Sequence, residues 1–122
     1  MYIRYGYTCR RHMPPLTPAV FHVLLALAPG ERHGYGIQKD VLEHTGGEVR
    51  LGPGTLYGTL QRLMALDWVE EKIVRGAAAD DRRRYYKLTK TGRKSLEAEV
   101  QRMDALIKTA RAHRVVPRGS KG

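Results

Sequence analysis

Three breaker clusters, Pro29-Gly30, Gly46-Gly47 and Gly52-Pro53-Gly54, cut the first half of this chain into short segments. Proline is tolerated only in the first turn of a helix, and glycine commonly ends one. The segments between the breakers carry apolar residues at a period near 3.6, the mark of short amphipathic helices. Thr17 can cap the first, with Pro18 at its first position and Val20, Phe21, Leu24, Leu25 and Leu27 as its stripe. The second begins near Tyr35 and buries Ile37, Val41 and Leu42. The third opens at Gly52-Pro53-Gly54-Thr55 and runs to about Leu66. Helices this short are marginal alone, so they must pack on one another.

The pattern then changes. Trp68 to Val74 alternates as a strand, Arg75 to Arg83 is a Gly/Ala/Asp/Arg loop, and Arg84 to Leu88 is a second strand. Together they predict a hairpin. Thr89 or Thr91 caps a last helix running to about His113. Along it Leu96, Val100, Met103, Ile107 and Ala110 fall at alternating spacings of four and three, a heptad seam suited to a second copy of the chain.

The expected fold is therefore mainly α with a small β-hairpin: a winged helix-turn-helix plus a long C-terminal dimerisation helix. Residues 1–15 form a basic arm, expected to be mobile, 16–90 the winged domain, 91–114 the dimerisation helix and 115–122 a disordered tail. Met13 is a candidate start, which would make the first twelve residues an upstream extension. The tail sequence V-P-R-G-S-K-G resembles a protease-cleavage linker.

Net charge is +10 over 122 residues. Each lysine or arginine set on a phosphate releases condensed counterions, so such a bias favours polyanions. No apolar run approaches the roughly 20 residues that span a bilayer, and residues 1–11 lack the apolar stretch of a signal peptide. The expected location is the cytoplasm, with no membrane partner. The single cysteine, Cys9, permits no internal disulfide, and the five histidines show no ligand spacing, so neither metal nor cofactor is expected. No phosphate loop, carboxylate pair or ordered nucleophile–base set suggests an enzyme.

On the third helix, Leu56, Leu60, Leu63 and Met64 gather on one side of a wheel advancing about 100° per residue, with Tyr57 at the edge. The other side carries Thr55, Gly58, Gln61 and Arg62. Small residues let a helix sit deep in a major groove, glutamine can pair with adenine, and arginine can reach guanine or phosphate. A solvated face would explain the polarity, and close packing of another helix would explain Gly58. The hairpin adds Arg75, Arg82 and Arg84, placed for the DNA backbone or minor groove. Blocking of edge-to-edge aggregation would also account for a charged hairpin.

H-G-Y-G-I at 33–37, G-P-G-T-L-Y-G-T-L-Q-R-L at 52–63 and R-R-Y-Y-K-L-T-K-T-G at 83–92 together resemble the PadR-like transcriptional regulators. The resemblance covers about residues 16–112. It implies a winged helix, a homodimer joined through the C-terminal helix, double-stranded DNA as partner and, usually, repression of a nearby promoter. It also implies that Tyr57 lies at or near the DNA. The single short C-terminal helix looks like the compact branch of the family. Some compact members hold flat aromatic drugs between tryptophans of that helix. Here residues 91–113 contain no aromatic, and Trp68 reads as a core residue, so the drug site is not carried over. A small-molecule effector of unknown identity stays open as a partner. The competing reading is a winged-helix protein-interaction module without specific DNA reading.

Overall fold

A computed structural model of the chain describes residues 16–75 and 82–115. The elements run α1 (Pro18–Leu27), β1 (Arg32–His33), α2 (Gly34–His44), α3 (Pro53–Ala65), β2 (Val69–Arg75), β3 (Arg82–Leu88) and α4 (Lys90–Ala112). The arm 1–15, the hairpin tip 76–81 and the tail 116–122 lie outside the described residues, as do the side chains of Arg75, Arg82 and Arg83.

The helix starts follow their caps. Thr17 Oγ1 accepts from the Val20 N–H at 3.2 Å. His33 does the same work for α2, its Nδ1 accepting from the Gly36 N–H at 3.1 Å, so the helix begins at Gly34 rather than Tyr35. The α2–α3 link is drawn tight by Gly46 and Gly47, both at positive φ (62° and 88°). Gln38 Nε2 donates to the Leu51 carbonyl at 2.8 Å and fixes the approach to α3. No side chain caps α3, whose N-cap is Gly52, and Pro53 sits in its first turn.

The expected hairpin is present but belongs to a three-stranded antiparallel sheet of order β1-β3-β2. Arg32 and His33 pair with Tyr86 and Tyr85. A two-residue strand has no period to read, so only its pairing reveals it. Strand β3 starts at Arg82, two residues earlier than expected, and Val69 rather than Trp68 opens β2. The β2–β3 register runs from Val69↔Leu88 through Glu71↔Tyr86 and Ile73↔Arg84 to Arg75↔Arg82.

One core joins these layers. Val23, Leu24 and Leu27 of α1, Ile37 and Val41 of α2, and Leu56, Leu60 and Leu63 of α3 are buried together, closed below by Val69 and Tyr86 of the sheet and by Leu96 of α4. Trp68 and Met64 pack against the edge of this cluster. Leu42, expected in the stripe of α2, is only half-buried.

The sheet is locked to α4 at one joint. Asp67 takes a left-handed turn (φ 64°), and its carbonyl accepts from Thr89 Oγ1 at 2.6 Å. The same hydroxyl caps α4 by accepting from the Gly92 N–H at 3.0 Å. Gly92 sits on the backbone of Trp68, where an added Cβ would lie 2.8 Å from the Trp68 carbonyl carbon. Gly92→Ala is therefore expected to destabilise the fold by about 1–3 kcal/mol through overpacking, despite alanine's better helix propensity. Thermal denaturation should show the melting temperature falling by several degrees; an unchanged or higher value would contradict this joint.

Candidate nucleic-acid interface

Burial of Leu56, Leu60 and Leu63 turns the opposite side of α3 outward. Thr55, Gln61 and Arg62 are exposed there. Among the described residues, no atom comes within 4 Å of the point where a Cβ on Gly58 or Gly54 would stand. Among the described residues, then, Gly58 makes room for no helix. Thr59, which lies between the two faces on the wheel, is buried, and its hydroxyl has no hydrogen-bond partner.

Tyr57 is divided between the two roles a tyrosine can take. The residue is 45% exposed, yet its hydroxyl end lies against Gly34 at the start of α2. A Cβ at position 34 would meet the Tyr57 Cζ at 3.0 Å, so Gly34 is the seat of that ring. Tyr57 thus bridges the first turns of α2 and α3 while keeping one side open.

Strand alternation sets the wing's two faces. On one, Glu70 pairs with Lys87 at 3.9 Å and Lys72 with Glu31 at 3.2 Å. The other face continues the core outward from Val69 and Tyr86 to Glu71 and Arg84. There Arg84 Nη1 lies 3.1 Å from Glu71 Oε2. Tyr57, Gln61, Met64, Glu71, Arg84 and Tyr86 line one shallow depression between α3 and the wing. Burial, then the negative charge of Glu71, push the Tyr86 pKa up to about 12, with Arg84 opposing. Of the wing arginines expected at DNA, Arg84 shares this depression with Gln61. Arg75 and Arg82 are cross-strand partners, with side chains outside the described residues.

Sequence reasoning missed Glu71 and Tyr86 as neighbours of this surface. Both lie in the strands it identified, but their pairing depends on a register that alternation alone does not give.

On α4 the five expected seam residues part company. Leu96 is buried in the chain's own core at 5% exposure. Val100 and Ile107 are 44% and 48% exposed, and Met103 and Ala110 are half-buried. Leu106, off the strict seam, is exposed as well. Glu99 is buried beside Leu96, bonded to Arg102 at 2.7 and 3.1 Å. Hydrogen bonds from Arg102 hold its carboxyl below the usual carboxylate range against the effect of burial, with the Leu16 backbone assisting.

Residues 23–98 match the family model described as the transcriptional regulator PadR-like family. The chain belongs to the PadR-like family of transcriptional regulators. It is 35% identical over 89 residues to the transcriptional regulator Rv3488 of Mycobacterium tuberculosis, covering 71% of this chain and 77% of that protein. An uncharacterized 37.1 kDa protein in a transposon of Streptomyces fradiae is 44% identical over 84 residues, which is 69% of this chain but 22% of that protein. The chain thus spans about a fifth of that relative's length. A PadR family regulator from Clostridium difficile superimposes with a TM-score of 0.70 at 26% identity, covering 80% of this chain and 98% of that one. Bacillus subtilis PadR, solved in complex with operator DNA, superimposes with a TM-score of 0.60 over 66% of this chain and 45% of its own. At 21% identity the second likeness is one of fold. The family is one of regulators rather than enzymes. No helix among the described residues is long and apolar enough to cross a membrane.

The Tyr86 environment has a measurable consequence. A phenol with a raised folded-state pKa contributes stability below the unfolded value of 10.0, and that contribution is lost as pH rises toward about 12. In Tyr86→Phe this part of the alkaline loss should vanish. Superimposable stability profiles above pH 10 for the two proteins would refute the assignment.

Proposed function

We propose that this chain is a cytoplasmic repressor that binds double-stranded DNA as a homodimer and reads an inverted-repeat operator. The observation that carries this reading is the unobstructed face of α3, with Thr55, Gly58, Gln61 and Arg62 outward and Arg84 of the wing beside it. Gly58 leaves the helix surface flat where it would enter a major groove about 12 Å wide. Gln61 and Arg62 supply hydrogen bonds to base edges, and Thr55 sits in the first turn, where backbone N–H groups also meet phosphate. Tyr57 lies at the margin of the interface. Arg75, Arg82 and Arg84 supply the wing's charge to the backbone or minor groove. The fold shared with Bacillus subtilis PadR, solved with operator DNA, supports the same reading.

Two recognition helices related by a two-fold axis call for half-sites about 10 base pairs apart, or a multiple. Gly58→Leu should lift the helix from the groove and weaken operator binding at least tenfold. Because nothing among the described residues lies within 4 Å of that position, the melting temperature should not fall. Gln61→Ala should cost about 1–3 kcal/mol on the operator and little on random DNA. Fluorescence anisotropy with operator and scrambled duplexes measures both. Full operator affinity in Gly58→Leu would move the recognition surface elsewhere.

The homodimer is assigned to the outward part of α4, with Val100, Met103, Ile107 and Ala110 at the two-fold seam and Leu106 flanking it. Leu96 supports the seam from within its own protomer. Replacing Val100 and Ile107 by glutamate should give a folded monomer. Light scattering that still reports a dimer would refute this seam.

A further inference from the structure

We propose that Glu71 is a specificity-determining positioning residue, which holds the Arg84 guanidinium at the depression it shares with Gln61 so that the arginine meets DNA in one orientation. The inference rests on the DNA-binding reading above. A carboxylate on such a surface is otherwise unfavourable, because it repels the phosphates that the neighbouring cations attract. Fold stability does not account for it either, since ion pairs this exposed contribute about 0–1 kcal/mol.

The geometry makes Glu71 the fixed member of the pair. Its side chain is 26% exposed against 58% for Arg84. Its cross-strand partner Tyr86 is buried at 2% exposure and lines the same depression from the core side. Arg84 stands one register position further out, opposite Ile73. Nη1 is the guanidinium atom that engages Glu71, and a guanidinium carries five N–H donors in a rigid planar fork. Anchoring one nitrogen restricts the plane in which the others can address a base or a phosphate. An unanchored arginine would serve any phosphate within reach, giving affinity without discrimination.

The same strand carries its own control. Glu70 bears the same charge one residue away, but alternation puts it on the opposite face, where it pairs with Lys87 at 3.9 Å. Removing Glu70 alters the protein's field without touching Arg84.

The test uses the full-length protein and two duplexes of equal length and composition. One is selected from a random-sequence pool by the unmodified protein, and the other is its scrambled version. Glu70→Gln should strengthen binding to both by a similar factor. Glu71→Gln should strengthen binding to the scrambled duplex and weaken it on the selected one, lowering the affinity ratio at least fivefold. In an Arg84→Ala background, Glu71→Gln should leave the ratio unchanged. Arg84→Lys, which keeps the charge but loses the planar fork, should lower the ratio as Glu71→Gln does, with the salt dependence on scrambled DNA preserved. If Glu71→Gln shifts both affinities equally, Glu71 is only a charge and the positioning role is overturned. A ratio that still falls in the Arg84→Ala background overturns it too. If the unmodified protein enriches no sequence at all, the operator-reading function itself fails, and the role of Glu71 falls with it.

Discussion

The burial of Leu56, Leu60 and Leu63 decides what the rest of this molecule can present. A helix has one rotation about its axis, and three leucines held between α1, α2 and the sheet fix it. Each is nearly inaccessible to solvent, so turning α3 far enough to hide Gln61 would expose at least one of them. Burying a leucine is worth about 1.5–3 kcal/mol, which makes such a rotation prohibitive in a small domain. The outward face therefore needs no stabilisation of its own. It can carry glycines at 54 and 58, which weaken a helix by up to about 1 kcal/mol each. Supplying this rigid seat is what the core contributes to function.

The wing extends the same logic from a helix to a sheet. Its core face begins with Val69 and Tyr86, passes to Glu71 and then to the half-exposed Arg84. Apolar packing gives way to a buried phenol and then to an ion pair as solvent is approached. That order places the weakest interaction at the most exposed position, where a polyanion can compete for it. At the other end of the hairpin, Thr89 and Gly92 clamp the strands to α4 through Asp67 and Trp68. The wing and the C-terminal helix consequently share one foundation, and a shift of α4 would be felt at the base of β2.

Much of this was legible in the residues. Breakers and apolar period located the helices, because each of the first three buries one stripe, and α1 and α2 stop at a Pro-Gly and a Gly-Gly pair. The outward face of α3 followed from the wheel. Three features were not legible, each for a physical reason. His33 is an unusual cap, so the start of α2 at Gly34 was missed by one residue. Strand β1 is two residues long and owes its existence to pairing with β3, a contact made across more than fifty residues of chain. The meeting of Glu71 with Arg84 and Tyr86 depends on strand register, and the hairpin loop between them has no short turn motif to fix it.

The C-terminal helix shows a further limit of periodicity. A heptad identifies the face that is covered, but not whose surface covers it. Leu96 and Ile107 obey one repeat, yet the first is buried in its own domain and the second is half open. Between them Glu99 and Arg102 form a bonded pair, with the carboxylate almost wholly enclosed. Its satisfaction by Arg102 lets a buried charge persist there, since an unpaired carboxylate would be strongly disfavoured. The pair divides the helix. Leu96 before it belongs to the core, whereas Val100, Met103 and Ile107 form an apolar strip that the described residues leave partly open. An apolar strip projecting from a highly charged helix is costly for a monomer and well suited to meeting its own copy, because a two-fold contact needs only one self-complementary surface.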